Sequence, residues 1–141
     1  MLNKYFTDCL YFTANRLARV ITRMAEEEFS RTGLSPAYAF LLMALYERDG
    51  MNQKELGEAL HLMPSTVTRF VEKLESKRLV ATRQDGRMSR VYLTDKGRAM
   101  KGQIEECWSS LHDRYAKALG REEGDRLTRR LYEASEELER A

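Results

Sequence analysis

Two prolines, two cysteines and two histidines are all that the 141 residues contain, and each scarcity excludes something. Cys9 and Cys107 are too few and too far apart for a disulfide framework or a zinc cluster. Adding His61 and His112 still makes no metal-ligand set, so neither metal nor cofactor is expected. Long apolar runs are missing too. The longest, Ala37–Tyr46, is half a membrane span and reads as a buried helix. Met1–Phe12 has no basic n-region, apolar stretch or small-residue cleavage site, so a cytoplasmic protein without membrane attachment is expected. Enzyme signatures are equally scarce. There is no nucleophile elbow, phosphate-cradling glycine loop or H-E-x-x-H, and Glu26-Glu27-Glu28 reads as a solvated helix end. What is abundant is charge, 33%, beside 43% hydrophobic residues, a balance that supports a packed, mainly helical chain rather than a disordered one. The length fits one domain with a device for oligomerisation.

The net charge of +2 says little, but its distribution is uneven. Pro64–Arg90 holds seven basic residues (Arg69, Lys73, Lys77, Arg78, Arg83, Arg87, Arg90) against three acidic ones, a local +4 that leaves −2 elsewhere. A basic segment on a near-neutral body is the footprint of a nucleic-acid binder, although a solvated helix face gives the same count. Within it, Val67, Phe70, Val71 and Leu74 follow the spacing of one buried helix face. Ser65, Arg69, Glu72 and Ser76 then lie opposite, flanked by Thr68 and Lys73. Hydroxyls and cations are the groups that meet base edges and phosphates. Asp85-Gly86 is expected to form the two-residue type I′ loop of a hairpin. Helix followed by basic hairpin spells a winged helix-turn-helix.

The flanks are helical by period. One long helix is expected from about Leu2 to Phe29, with Phe6, Leu10, Thr13, Leu17, Val20/Ile21 and Met24 on one side and Gly33 as terminator. Ser35-Pro36 opens a second, and Gly50 stops it. Asn52-Gln-Lys-Glu55 has the form of a capping box, starting a short helix that turns Leu56, Ala59 and Leu60 inward. His61-Leu62-Met63 is the turn of the helix-turn-helix. Thr94 caps another long helix through Met100, Ile104, Cys107/Trp108, Leu111, Tyr115 and Ala118/Leu119, which Gly120 breaks. A last helix from about Glu122 aligns Leu127, Leu131, Ala134 and Leu138. Stripes this long at both ends need covering. A second copy would cover them and give two reading heads, and a monomer with its ends folded back is the alternative.

Ser65-Thr66-Val67-Thr68-Arg69, Leu74-Glu75, Leu79-Val80, Asp85-x-Arg87 and Leu93-Thr94-x-x-Gly97 together resemble the MarR family of transcriptional regulators. The resemblance covers essentially the whole chain. It implies a mainly α fold with a small β-hairpin wing, a single domain over 1–141, a winged helix-turn-helix DNA-binding lobe over 35–93, and long dimerisation helices over 1–34 and 94–141. It implies base contacts from Ser65, Thr66, Thr68 and Arg69, with Lys73 towards phosphate. It places Arg87 at the wing tip in the minor groove, held by Asp85, with Arg90 also on the wing. The expected activity is repression by a homodimer on a pseudo-palindromic duplex. Three departures stand out. Arg78 replaces a usual glycine, Met63 a usual capping residue, and the wing is about three residues short.

The resemblance further implies a response to small aromatic acids or to oxidants. Tyr5, Tyr11, Tyr38, Trp108, His112 and Tyr115 could line an aromatic effector pocket, or simply serve as core. Cys9 lies near where the hydroperoxide-sensing branch carries its thiol, one residue out of register on Arg16, and could instead be a small buried hydrophobe. A winged helix used for protein–protein contact is the rival of a different class. It would show aromatic or aliphatic anchors where this chain shows Ser65, Thr68, Arg69 and Lys73.

Overall fold

The computed structural model describes residues 3–141, so the helix start expected at Leu2 lies outside the described residues. The long first helix is in two pieces, α1 (Asn3–Thr7) and α2 (Leu10–Phe29). Thr7 and Asp8 compete with the helix for its own bonds. The Thr7 hydroxyl donates to Asn3 O at 2.8 Å or to the Asp8 carboxylate at 3.0 Å, and Cys9 is extended. A 3₁₀ turn, Ser30–Thr32, ends on Gly33 at φ 74°, the left-handed terminator. Then come α3 (Pro36–Glu47), with Pro36 in its first turn, the two-residue strand β1 (Met51–Asn52) and α4 (Gln53–Leu60). The capping box is formed in full, because Asn52 Oδ1 accepts from Glu55 N at 2.8 Å while Asn52 N donates to Glu55 Oε1 at 3.0 Å. Ala59 points outward rather than inward; Leu56 is buried and Leu60 half-buried.

Left-handed His61 (φ 56°) turns the chain into α5 (Pro64–Ser76), followed by β2 (Val80–Asp85) and β3 (Met88–Leu93). The sheet order is β1-β3-β2, all antiparallel, so a third strand pins the hairpin to the start of α4. Thr94 caps α6 (Asp95–Ala99) by accepting from Gly97 N at 3.0 Å. Met100 separates α6 from α7 (Lys101–Leu119), Gly120 (φ 90°) ends it, and α8 (Arg121–Arg140) closes the chain. The architecture is mainly helical with a small three-stranded wing.

The core joins Phe29, Leu41, Leu42, Leu45, Leu56, Val67, Val71, Leu74, Val91 and Ile104, and therefore ties α3, α4, α5 and the wing to α2 and α7. Gly97 sits where the hairpin meets α6, with no room for a side chain, and Tyr46 donates to its carbonyl at 2.6 Å. Arg114 on α7 bonds Glu27 at 3.0 Å and Glu28 at 3.1 Å on α2, locking the two long helices in register. The ends of the chain are different. None of the α8 residues is buried, and Tyr5, Phe6, Leu10, Tyr11, Leu119, Tyr132 and Leu138 are exposed. No helix among the described residues is long and apolar enough to cross a membrane.

Candidate nucleic-acid interface

Helix α5 forms because Pro64 fits its first turn and Val67, Val71 and Leu74 bury one face. Phe70 packs on Tyr38 with ring centroids 4.6 Å apart. Met63 occupies the N-cap position and makes no side-chain cap bond. The opposite face carries exposed Ser65, Thr68, Arg69 and Lys73, with Thr66 half-buried at its edge. Among the described residues Arg69 and Lys73 have no ion-pair partner, so both charges are available to an anion. One neighbour was not singled out from the sequence. Gln53, the first residue of α4, accepts from the Thr68 hydroxyl at 2.8 Å through Oε1. Its only sequence signal is its place just after the Asn52 cap.

The wing differs from expectation in its turn. Asp85 is the last residue of β2, paired with Met88, and the two-residue loop is Gly86-Arg87. Gly86 has φ 63° and Arg87 is not left-handed, which is the type II′ pattern with glycine first rather than type I′. The shift follows from residue type, since a type I′ loop at Asp85-Gly86 would put an aspartate at positive φ while the actual register asks that only of glycine. It leaves Arg87 exposed at the tip.

Asp85 does not hold Arg87. Its carboxylate accepts from Arg90 Nε at 3.2 Å. Arg90 also donates to Gly50 O at 3.1 Å and lies 3.8 Å from Glu55 Oε1. Arg90 thus braces the wing against β1 and α4, and Arg87 has no ion-pair partner among the described residues. The Glu55 carboxyl is held below its ordinary value first by the Asn52 amide and then by Arg48, which pairs with it. Arg83 lies over the Tyr92 ring, 4.7 Å from its centroid. Arg78 is left-handed at φ 62°, the conformation for which glycine is the usual residue.

Of the aromatic residues named from the sequence, Trp108, His112 and Tyr115 come together. With Phe40, Arg129 and Tyr132 they line a cleft of about 560 Å³ between α3, α7 and α8. Trp108 and His112 stack with centroids 5.2 Å apart, and His112 Nε2 is 3.7 Å from Asp125. Tyr38 belongs to the α5 contact, while Tyr5 and Tyr11 are exposed near the N-terminus. Cys9 is not inside a helix but at the N-cap position of α2, half-exposed. Cys107 is fully buried, and Arg31 Nε donates to its sulfur at 3.2 Å, the main reason the guanidinium is held above its ordinary value. A second groove, about 390 Å³ and almost wholly apolar, runs between Leu17, Val20 and Met24 of α2 and Leu119, Leu127 and Leu131.

Comparison with known proteins gives a consistent picture. The model of the MarR family matches residues 34–87. The HTH-type transcriptional regulator SarZ of Staphylococcus aureus is 30% identical over 109 residues, covering 74% of this chain and 70% of SarZ. The HTH-type transcriptional regulator TtmR of Methylorubrum extorquens is 38% identical over 73 residues, half of this chain but only 37% of TtmR's own length. Among solved structures, the transcriptional repressor CouR bound to a 23-mer DNA duplex superposes with a TM-score of 0.85 at 24% identity, over 93% of this chain and 95% of CouR. CouR has also been solved bound to p-coumaroyl-CoA.

Proposed function

The chain belongs to the MarR family of winged helix-turn-helix transcriptional regulators, and on that premise we propose that it is a cytoplasmic repressor binding a pseudo-palindromic operator as a homodimer. Regulators of this family are not enzymes, and the site is read as a binding surface. The observation that carries the reading is the outward face of α5. It offers Ser65, Thr68, Arg69 and Lys73 to a major groove, with Arg87 exposed at the wing tip for a neighbouring minor groove. Residues 35–93 form the DNA-binding lobe, and residues 1–34 and 94–141 the dimerisation lobe. Uncovered apolar side chains on α1, α8 and the end of α7 support a second copy as their cover.

The cleft beside Trp108 and His112 suits a small aromatic acid, with Arg129 on hand for its carboxylate. Occupation would favour a dimer whose heads are wrongly spaced and so lower operator affinity by population shift. A second reading, oxidant sensing, is supported by the place of Cys9, half-exposed at the start of α2 and so within reach of a dissolved oxidant. Selecting bound sequences from random duplex DNA tests the main reading, with enrichment of one motif expected. No enrichment at any salt contradicts it. Repeating the selected binding with peroxide and then reductant decides the role of Cys9.

A further inference from the structure

We propose that Gln53 fixes the hydrogen-bond polarity of Thr68, so that Thr68 reads an amino-bearing base, adenine or cytosine, in each half-site. The inference rests on α5 being the reading helix. A threonine hydroxyl has one proton and two lone pairs. In this protein the proton has two acceptors within reach, Gln53 Oε1 at 2.8 Å and Pro64 O at 3.1 Å. Both belong to the protein. With the Gln53 amide turned over, its NH₂ would donate to the Thr68 oxygen and the hydroxyl proton would go to Pro64 O. In either arrangement the proton is spent internally, and only acceptor lone pairs remain for the DNA.

Thr68 is exposed one helical turn beyond Ser65 on the outward face, beside Arg69. It is therefore among the side chains able to reach a base edge from the first turns of a recognition helix. In the major groove the only amino donors are adenine N6 and cytosine N4, whereas guanine O6 and N7 and thymine O4 accept. An acceptor-only hydroxyl matches the first pair and leaves two lone pairs facing each other against the second. Gln53 is then a positioning residue for specificity. It reaches from a different helix, whose start is fixed by the Asn52–Glu55 box, so the polarity of the contact is built into the angle between α4 and α5.

Selection from random duplexes with wild type, Thr68→Val, Thr68→Ser and Gln53→Ala tests this. Wild type should prefer adenine or cytosine at one position per half-site by about fivefold, the size of one hydrogen bond. Thr68→Val keeps the shape and the methyl but loses the acceptor, and should flatten that position alone. Thr68→Ser should retain the preference. Gln53→Ala removes the shorter of the two acceptors and leaves the proton only the 3.1 Å bond to Pro64 O, so the preference should weaken at the same position without disappearing; a motif unchanged by Gln53→Ala overturns the role of Gln53. A wild-type preference for guanine or thymine where Thr68→Val acts, or a motif unchanged by Thr68→Val, overturns the inference while leaving the regulator reading intact. Absence of any wild-type motif overturns both.

Discussion

Replacing Gly97 by alanine probes the joint between the wing and the long α7 helix, and the geometry sets the sign of the outcome. A Cβ on Gly97 would lie 2.1 Å from Leu79 O, 3.2 Å from Leu79 C and 3.4 Å from Leu93 Cδ2. The nearest atom is backbone and cannot rotate away. It also accepts from Thr94 N at 3.1 Å, the bond that fastens the end of the hairpin to the start of α6. Overpacking of this kind costs about 1–3 kcal/mol. Loosening the Thr94 bond adds about 1 kcal/mol. Alanine's better helix propensity returns about 1 kcal/mol. The net is a destabilisation of about 1–3 kcal/mol. Gly102 is the control, being helical and exposed with nothing within 4 Å of a Cβ. Gly102→Ala should stabilise by about 0.5 kcal/mol. Urea unfolding of both variants at one fixed protein concentration measures the pair, with equal m-values required for the comparison. Midpoints moving in the same direction would refute the steric argument.

Arg78→Gly should raise the unfolding free energy by about 1 kcal/mol, because a left-handed arginine carries a backbone penalty of that order; an unchanged midpoint counts against strain there. Arg69→Ala should weaken specific binding by about 1–3 kcal/mol and relax the motif at one position, whereas equal loss on every duplex makes it a phosphate contact. Arg87→Ala should lower the slope of log K against log salt by roughly one, and an intact slope argues against a groove contact from the wing tip. Burial pushes the Tyr46 hydroxyl up from 10 to about 12, with Glu105 adding to the effect. The raised value means that its contribution to stability is complete below pH 10 and is lost as pH rises towards 12. Tyr46→Phe should cost about 1 kcal/mol at neutral pH and flatten that alkaline decline, and an identical decline in both proteins would contradict the assignment.

Much of this was legible in the sequence because it depends on short-range rules. Gly33, Pro36, the Asn52–Glu55 box, Thr94 and Gly120 each act within a few residues, and each stands where its type demands. The buried face of α5 follows from period alone. What could not be read was long-range or sub-periodic. Strand β1 has two residues, too few for any alternation, and exists because Val91 and Arg90 pair with Met51 and Asn52. The break at Asp8-Cys9 interrupts an unbroken apolar period through local side-chain bonds that period cannot express. The turn slipped by one residue because a Gly86-Arg87 loop asks left-handed backbone of glycine alone, a preference that the Asp-Gly signal does not show. Partner choice was hidden as well, since nothing in Asp85-x-Arg87 says that the carboxylate turns back to Arg90. Gln53 and Thr68 are 15 positions apart and meet only once α4 and α5 cross.

The mass and stoichiometry of the complex with a selected duplex bear most directly on the two-headed reader. Sedimentation should find two chains per duplex, and the selected motif should be an inverted repeat with half-site centres about 10–10.5 base pairs apart, or a multiple of that spacing. One chain per duplex on an asymmetric motif would contradict it.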